Sequence, residues 1–278
     1  MLRSPLQTAA RPATTAATGL EQFYEQFAFF GRALASLPRA LRHRGEIIAE
    51  ISNVTVGIGA FVVGGGMFFV VFALSSATGY EVGLESFSSL QGIGAQAFIG
   101  VVASLADTRI VVPLIAGIAF AAKVGAGFTA EIGAMRVSEE IDALEVIGVE
   151  SVAYVVGTRI WAAVITMVPL YLAAIFASYL GTQLISTKFF GLPLGVYQHY
   201  FNLLLPPIDV LFSFIQVVVF AVVVTLVHCY YGYYATGGPV GVGTATGRAI
   251  RFSFMSIAVL NMVLSFAFYG SGGARLVG

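Results

Sequence analysis

Carboxylate side chains are concentrated in one stretch of the chain. The segment EIGAMRVSEEIDALEVIGVE, residues 131–150, holds six of the fourteen acidic residues. Carboxylates can serve catalysis, metal binding or ionic contacts, and the first two need further groups at set spacings. The sequence has no H-E-x-x-H motif, no Cys/His cluster and no spaced pair of acids within an apolar segment. The pattern therefore argues against an enzyme and against a metal site, and it favours ionic contacts.

Residues 137–148 are predicted to form a short helix within this stretch. Its apolar positions recur every three or four residues and so share one face: Val137, Ile141, Leu144 and Gly148. Ser138 can cap the first turn, where the helix dipole favours acidic side chains. The helix is too short and too charged to cross a membrane. It is either a solvated loop helix or a docking surface for a partner.

The composition around this stretch is that of an integral membrane protein. Of the 278 residues, 58% are hydrophobic and 10% are charged, whereas soluble domains carry about 25% charged residues. Basic and acidic residues balance at fourteen each, so the net charge does not indicate a partner. The single cysteine, Cys229, excludes an internal disulfide and a cysteine-based metal cluster.

The apolar segments predict an all-α fold with about five membrane-spanning helices in one domain, residues 20–278. The predicted spans are residues 52–77, 90–130, 161–185, 208–231 and 250–270. The second segment is too long for one straight crossing at about 1.5 Å per residue. We therefore expect a broken or re-entrant part up to Ala106, followed by one crossing from Ile110 to Thr129.

Two segments precede the spans. Residues 1–19 are rich in Ala, Thr and Pro and are predicted to be a disordered tail. Residues 20–50 hold an amphipathic helix, which Pro38 is expected to break or kink. Its apolar stripe consists of Leu20, Phe23, Phe27, Phe30, Leu34, Leu37 and Leu41. Such a helix lies either in the membrane interface or against protein, and the basic residues off the stripe favour the interface.

The distribution of arginines predicts the orientation in the membrane. With a cytoplasmic N-terminus and five crossings, most arginines lie on the cytoplasmic side, as the positive-inside rule requires. The C-terminus then lies outside. A six-crossing alternative, with a cytoplasmic turn at residues 107–109, spoils this charge pattern downstream.

Two further sets of residues are candidates for function within the second span. Asp107 and Arg109 are ionisable groups near membrane depth, where charges often mark a transport path. They are expected to contact a lipid headgroup or each other, or to lie at the interface with access to water. Gly117, Ala121 and Gly125 recur every four residues, which lets another helix approach closely. Gly and Ala are also simply common in membrane helices.

No nucleotide site is predicted in this chain. The segment ATGGPVGVGTATGR, residues 235–248, is rich in glycine but lacks the pattern G-x-x-x-x-G-K-[ST] that cradles phosphates. A flexible cytoplasmic loop is predicted there instead.

The segment AAKVGAGFTAEIGAMRVSEEIDALEVIGVESV, residues 121–152, resembles the signature region of the MlaE/YrbE permease family. The shared features are small residues, a basic residue, T-A-E-I-G-x-M, a second basic residue and an acidic helix that ends in a small-residue turn. Lys123 stands where the family usually has Arg, so the charge is kept. The resemblance extends more weakly over residues 20–275. The wording VSEEIDALE and the Ala/Thr-rich tail look most like the actinobacterial Mce-operon branch.

Members of this family are membrane subunits of ABC-type lipid transporters that work with MCE-domain proteins. The resemblance implies that residues 137–147 form a coupling helix seated in a groove of a separate ATPase subunit. Its acidic residues would pair with that ATPase: Glu139, Glu140, Asp142 and Glu145. Glu131 and Arg136 would hold the angle between this helix and the preceding span, and Asp107 and Arg109 would face the lipid path.

The resemblance also implies an assembly in the cytoplasmic (inner) cell membrane. The chain would pair with a second copy or with a paralogous permease, with two ATPase subunits below and MCE-domain proteins above. The ATPase subunits would bind ATP and Mg, so this chain is expected to be non-catalytic, with no cofactor and no nucleic-acid partner. The cargo would be a fatty acid, phospholipid, sterol or related envelope lipid, and the expected direction is import.

Two other functions stay open from the sequence. A secondary transporter or channel that works without an ATPase is expected to have paired internal repeats and ionisable residues at mid-span, and no clear repeat is found. A membrane scaffold with no transport role is the other alternative, and its loss would destabilise partners but leave lipid flux intact.

Overall fold

The computed structural model describes residues 11–55 and 66–270, and this part of the chain is helical, with no strand. In chain order the helices are α1 (Arg11–Ala40), α2 (Arg44–Thr55), α3 (Gly66–Gln91), α4 (Gln96–Val137), α5 (Glu140–Val146), α6 (Val152–Phe189), α7 (Leu194–Leu203), α8 (Pro207–Tyr233) and α9 (Gly238–Tyr269). In this part, α3, α4, α6, α8 and α9 are long and apolar enough to cross a membrane, judged by length and composition. The prediction of an all-α fold with five spans is confirmed.

The first described span lies further along the chain than predicted. Of the predicted span, residues 56–65 lie outside the described part, and α3 continues from Gly66 to Gln91. The small residues beyond residue 77 do not end the helix, because Gly79 and Gly83 are buried against α6. A Cβ atom on Gly79 would overlap the backbone carbonyl of Ser178. Glycine here lets the two helices pack at very short range.

The predicted break in the second span is wrong, because α4 is one continuous helix. Two wide, π-helical turns lie within it, at Asp107–Val111 and Ala121–Gly125. Pro113 lies two residues after the first, and the wide turn lets the helix pass a residue that has no N–H to donate. At about 1.5 Å per residue, the 42 residues of α4 span about 63 Å. Since a hydrocarbon core is about 30 Å thick, α4 extends well beyond it.

The N-terminal segment forms two helices, and the first begins inside the predicted disordered tail, at Arg11. Pro38 lies in the last turn of α1, so the helix ends at Ala40, and a turn leads to α2. The face of α1 that packs on the protein holds Gln26, Phe29, Ala33, Ser36 and Ala40. The predicted apolar stripe is divided: Phe30 and Leu37 pack against the bundle, whereas Phe27, Leu34 and Leu41 stay exposed. This free apolar face suits a helix in the membrane interface.

The glycine-rich segment at residues 235–248 is not the predicted flexible loop. From Gly238 onward it forms the first turns of α9, with Pro239 at a position where a helix tolerates proline. Val242 and Ala245 are buried in these turns, and Val242 contacts Gly133 of α4. Packing against α4 therefore outweighs the low helix propensity of glycine.

Two large apolar clusters hold the bundle together. One lies among the long helices and includes Met67, Phe120, Tyr171 and Phe220. The other lies beside α5, where side chains of α1, α4, α5, α6 and α8 meet: Phe29, Ile132, Ile141, Ile160 and Leu226. The second cluster fixes the acidic helix to the bundle.

Candidate functional site

A sharp turn and one buried side chain set the position of α5. Glu139 has φ +60°, the only positive φ of a non-glycine residue in the described part, and it reverses the chain between α4 and α5. Ile141 is completely buried and Leu144 packs against the same cluster. Gly148, at φ +80°, ends the turn after the helix. Val137, predicted on the same face, is exposed, because it belongs to the end of α4.

Ser138 does not cap α5 as predicted. The helix begins at Glu140, and the residue before it, Glu139, makes no side-chain capping bond. The Ser138 hydroxyl instead lies 3.0 Å from the Ala134 carbonyl at the end of α4 and 2.8 Å from a carboxylate oxygen of Glu140. Ser138 therefore links the two helices from the α4 side.

Most of the predicted ATPase-coupling acids have partners within the chain. Arg136 pairs with Asp142 at 2.7 Å, across the junction between α4 and α5. One carboxylate oxygen of Glu145 accepts hydrogen bonds from the hydroxyls of Ser151, at 2.6 Å, and Tyr233, at 3.3 Å. These bonds hold both ends of α5 against the bundle. They place Arg136 where the sequence predicted it, at the junction.

The C-terminal end of α5 exposes two apolar side chains. Val146 is 87% exposed and Ile147 is 73% exposed, directly before the Gly148 turn. Sequence reasoning gave these residues no role. The sequence did contain a signal for a contact surface here: two aliphatic residues stand together at the end of a charged loop helix. Adjacent exposed apolar groups often mark such a surface.

Glu131 does not pair with Arg136, because it lies in a cluster that the sequence did not predict. Arg159 of α6 donates a hydrogen bond from Nη2 to Glu131 of α4, at 3.1 Å, and the same nitrogen forms a salt bridge with Glu50 of α2, at 2.9 Å. Its Nη1 donates to the Val155 carbonyl at 2.9 Å. Burial raises the pKa of Glu50, with Arg159 acting against the shift and nearby carboxylates adding to it.

Asp107 and Arg109 do not contact each other. Arg109 pairs with Asp209 of α8, with its Nη2 at 2.6 Å and Nε at 2.7 Å, and its guanidinium lies 4.8 Å from the ring centre of Tyr269. The Arg109 side chain is 24% exposed. Asp107 is fully buried and accepts a hydrogen bond from Thr182 at 2.8 Å.

The predicted small-residue ladder faces α8. A Cβ atom on Gly117 would lie 2.9 Å from the Phe220 ring, and one on Gly125 would lie 2.5 Å from the His228 ring. Ala121 between them is buried. One turn further on, Thr129 bonds to Nδ1 of His228 at 2.7 Å. Short side chains on α4 thus make room for large rings on α8.

The described part holds no group of three or more His, Cys, Asp or Glu side chains that is arranged to bind a metal. What the charged residues can do is mechanical and ionic: they fix α5, tie α2 to α4 and α6, and hold one partly exposed arginine of α4 beside the start of α8.

Comparison with known proteins identifies the family. The family model described as "Permease MlaE" matches residues 58–267. A "Probable ABC transporter permease protein" of Rickettsia bellii is 33% identical over 209 residues, which cover 72% of this chain and 77% of the relative. "Intermembrane phospholipid transport system permease protein MlaE" of Haemophilus influenzae is 27% identical over 247 residues, 88% and 91% of the two chains. "Protein TRIGALACTOSYLDIACYLGLYCEROL 1, chloroplastic" of Arabidopsis thaliana is 29% identical over 207 residues, 74% and 59%. With five helices able to span a membrane among its described residues and a family match over most of its length, the chain belongs to the MlaE permease family.

Proposed function

We propose that this chain is the membrane subunit of an ATP-driven ABC transporter that moves phospholipids or related hydrophobic lipids. The observation that carries the proposal is α5, a short polar helix that is held rigidly at one end of the bundle and presents an exposed tip. Similar proteins bear names that describe ABC transporter permeases and intermembrane phospholipid transport. A separate ATPase subunit supplies ATP hydrolysis, so this chain is non-catalytic.

The contact with the ATPase is centred on the tip of α5. Val146 and Ile147 are free to enter a groove of the partner, and burying an aliphatic side chain contributes about 1.5–3 kcal/mol. Asp142 and Glu145 are already bonded within the chain and keep α5 in place. Glu139 and Glu140 add negative charge that steers a basic partner surface toward the tip.

The partly exposed Arg109 is the group that the lipid path offers to a phosphate headgroup. Guanidinium groups bind phosphate oxygens by paired, charge-assisted hydrogen bonds. Asp209 and Tyr269 hold Arg109 in place from one side. Asp107 has no exposed surface, so its part in the path is to position α4 against Thr182 of α6.

The proposed assembly contains two permeases, two ATPase subunits and MCE-domain proteins on the outer side. A cytoplasmic N-terminus places α5 on the side of the ATPases. The free apolar face of α9 suits lipid or a second permease, and includes Met255, Val259, Met262 and Phe266. The inner membrane as location, the actinobacterial branch and the import direction remain parts of this proposal.

The test is lipid transport by the purified chain in liposomes, together with its cognate ATPase and MCE-domain partner. We expect a fluorescent phospholipid to move with ATP and not with a non-hydrolysable analogue. Equal movement without ATP would support a secondary transporter. A stable complex that hydrolyses ATP and moves no lipid, with a positive-control transporter active in the same liposomes, would support a scaffold.

A further inference from the structure

Arg159 lies where three helices meet at the end of the bundle that carries α5. We propose that Arg159 is a positioning residue that couples α5 to α2, and that its bond to Glu131 opens and closes during the transport cycle while its bond to Glu50 stays closed. The proposal rests on the proposed coupling through α5.

A single nitrogen of Arg159 serves two helices. Nη2 forms salt bridges with Glu50 of α2, at 2.9 Å, and with Glu131 of α4, at 3.1 Å, and it donates a hydrogen bond to Glu131. Nη1 is anchored on the backbone of α6 itself, at the Val155 carbonyl. Two carboxylates therefore share one positive charge, which weakens the hold on each of them compared with a separate pair.

The two carboxylates differ in their access to water. The Glu50 side chain is 4% exposed, whereas the Glu131 side chain is 51% exposed. If Glu50 left Arg159, a charge would be stranded in the protein interior, which is strongly unfavourable. If Glu131 left, water could solvate it, and Arg159 would keep Glu50 as its partner. The geometry thus makes one bond permanent and the other releasable.

The releasable bond lies directly on the connection to α5. Glu131 precedes Arg136 by five residues on α4, and Arg136 is bonded to Asp142 of α5. A push on α5 therefore acts on the last turns of α4. The ion pair that joins those turns to α2 and α6 is the Glu131–Arg159 bond.

The surroundings keep Arg159 in place when Glu131 leaves. The Phe128 ring lies 5.7 Å from the guanidinium, within the range of a cation–π contact. The neighbouring carboxylate of α2, Glu46, is engaged by the hydroxyl of Tyr154 at 3.3 Å. Glu50 and the Val155 carbonyl therefore hold Arg159 from α2 and α6. Its contacts with α4 are the Phe128 ring and the exchangeable bond to Glu131.

The first experiment measures the α2–α4 distance in the purified full-length chain by pulsed electron paramagnetic resonance. Spin labels replace two exposed residues, Ala49→Cys and Ala134→Cys, in a Cys229→Ala background. We expect Glu131→Ala to broaden the distance distribution and Glu131→Gln, which keeps an acceptor, to give an intermediate width. The control Glu150→Ala removes another half-exposed ion pair, in which Glu150 lies 2.7 Å from Arg39. Its distance distribution should match that of the wild type. A Glu131→Ala distribution equal to that of the wild type overturns the proposal.

The second experiment measures lipid moved per ATP hydrolysed in the liposome system. We expect Glu131→Ala to lower this ratio by at least about fivefold, the lower end of typical coupling between sites, with ATP turnover kept. Glu131→Gln should restore part of the ratio. An unchanged ratio contradicts the proposal. If the wild type moves no lipid with ATP, the proposed function fails, and the distance measurement still decides the role of Arg159.

Discussion

The end of the bundle that carries α5 and the opposite end, where α8 begins and α9 finishes, differ in how their charged residues are paired. At the α5 end, Arg136 meets an acid six positions further along the chain, and the two side chains are 38% and 58% exposed. At the other end, Arg109 meets Asp209, a hundred positions away, and the acid is almost fully buried. At about 1.5 Å per residue the two arginines lie about 40 Å apart along one helix. At one end both charged side chains reach water, and at the other a polar group is fixed among apolar helices.

The difference in burial between the two ion pairs determines which charges are available for binding. An exposed local pair such as Arg136–Asp142 contributes only about 0–1 kcal/mol, so its main effect is to orient α5. A buried pair between helices is costly to break, so Arg109 is held rigidly. The surfaces left free at the two ends are then an apolar tip, Val146 and Ile147, and one face of a guanidinium.

The largest expected effect is on ATPase binding, and it distinguishes the apolar tip of α5 from its acidic face. The double variant Val146→Asp/Ile147→Asp should weaken ATPase binding at least about 100-fold, because two aliphatic contacts worth about 1.5–3 kcal/mol each are replaced by charges. The variant Glu140→Lys/Asp142→Lys should weaken it less than about tenfold. Binding of the purified ATPase to the detergent-solubilised chain measures both. A stronger effect of the lysine variant would show that the acidic face, and not the tip, makes the contact.

Arg159→Ala should cause the largest loss of stability. It leaves Glu50 buried without its partner, and removal of one member of a buried pair costs about 3–5 kcal/mol. Chemical unfolding in detergent measures the free energy. The exposed Arg251→Ala serves as control and should change it by less than about 0.5 kcal/mol. A loss of that small size in Arg159→Ala would mean that the cluster does not hold α2 to the bundle.

Arg109→Ala should destabilise less, by about 1–3 kcal/mol. In this variant Asp209 loses its ion-pair partner. Asp209 lies in the first turn of α8, where the helix dipole offsets part of the cost of an unpaired carboxylate. The same unfolding measurement compares the two ends directly. A larger loss than in Arg159→Ala would reverse the ranking of the two clusters.

Much of the fold follows from local patterns in the sequence. The apolar segments predicted five spans, and the periodicity at Ile141 and Leu144 predicted the face of α5 that packs. The predicted break at residues 107–109 was wrong, because a wide helical turn accommodates Pro113 and the helix continues past it. Glycines at residues 235–248 suggested a loop, and only tertiary packing reveals a helix there.

The candidate site was less accessible from the sequence. Arg159 lies 28 positions from its partner Glu131 and 109 positions from its partner Glu50. Asp209 lies a hundred positions from its partner Arg109. Local spacing carries no information about such pairs. The exposure of Val146 and Ile147 also depends on which face of α5 the bundle covers.

Gly125→Ala tests the close contact of α4 with α8 that separates the two ends. The new Cβ would lie 2.5 Å from the His228 ring, and such overpacking costs about 1–3 kcal/mol. Gly127→Ala is the matched control, since its Cβ meets nothing within 4 Å, and it should be neutral or slightly stabilising. Thermal unfolding in detergent distinguishes them, and equal midpoints would contradict the close packing.

The smallest expected effect is a pH dependence at the α5 end. Burial raises the pKa of Glu50 above its ordinary value of 4.5, so the folded chain binds this proton more tightly than the unfolded chain. The contribution of Glu50 to stability therefore falls as the pH rises from below 4.5 through the folded pKa. Glu50→Gln should remove this fall, seen as a flatter dependence of the unfolding midpoint on pH. An identical dependence in the variant would argue against a raised pKa.

In the proposed function, α5 couples this permease to an ATPase. The most direct measurement is affinity purification of the tagged chain from its native membranes in mild detergent, with subunit ratios determined by mass spectrometry. We expect an ABC-type ATPase and MCE-domain proteins in a fixed ratio with the wild type, and loss of the ATPase alone from Val146→Asp/Ile147→Asp. Recovery of the wild-type chain without an ATPase, or of the same amount of ATPase with the variant, would contradict it.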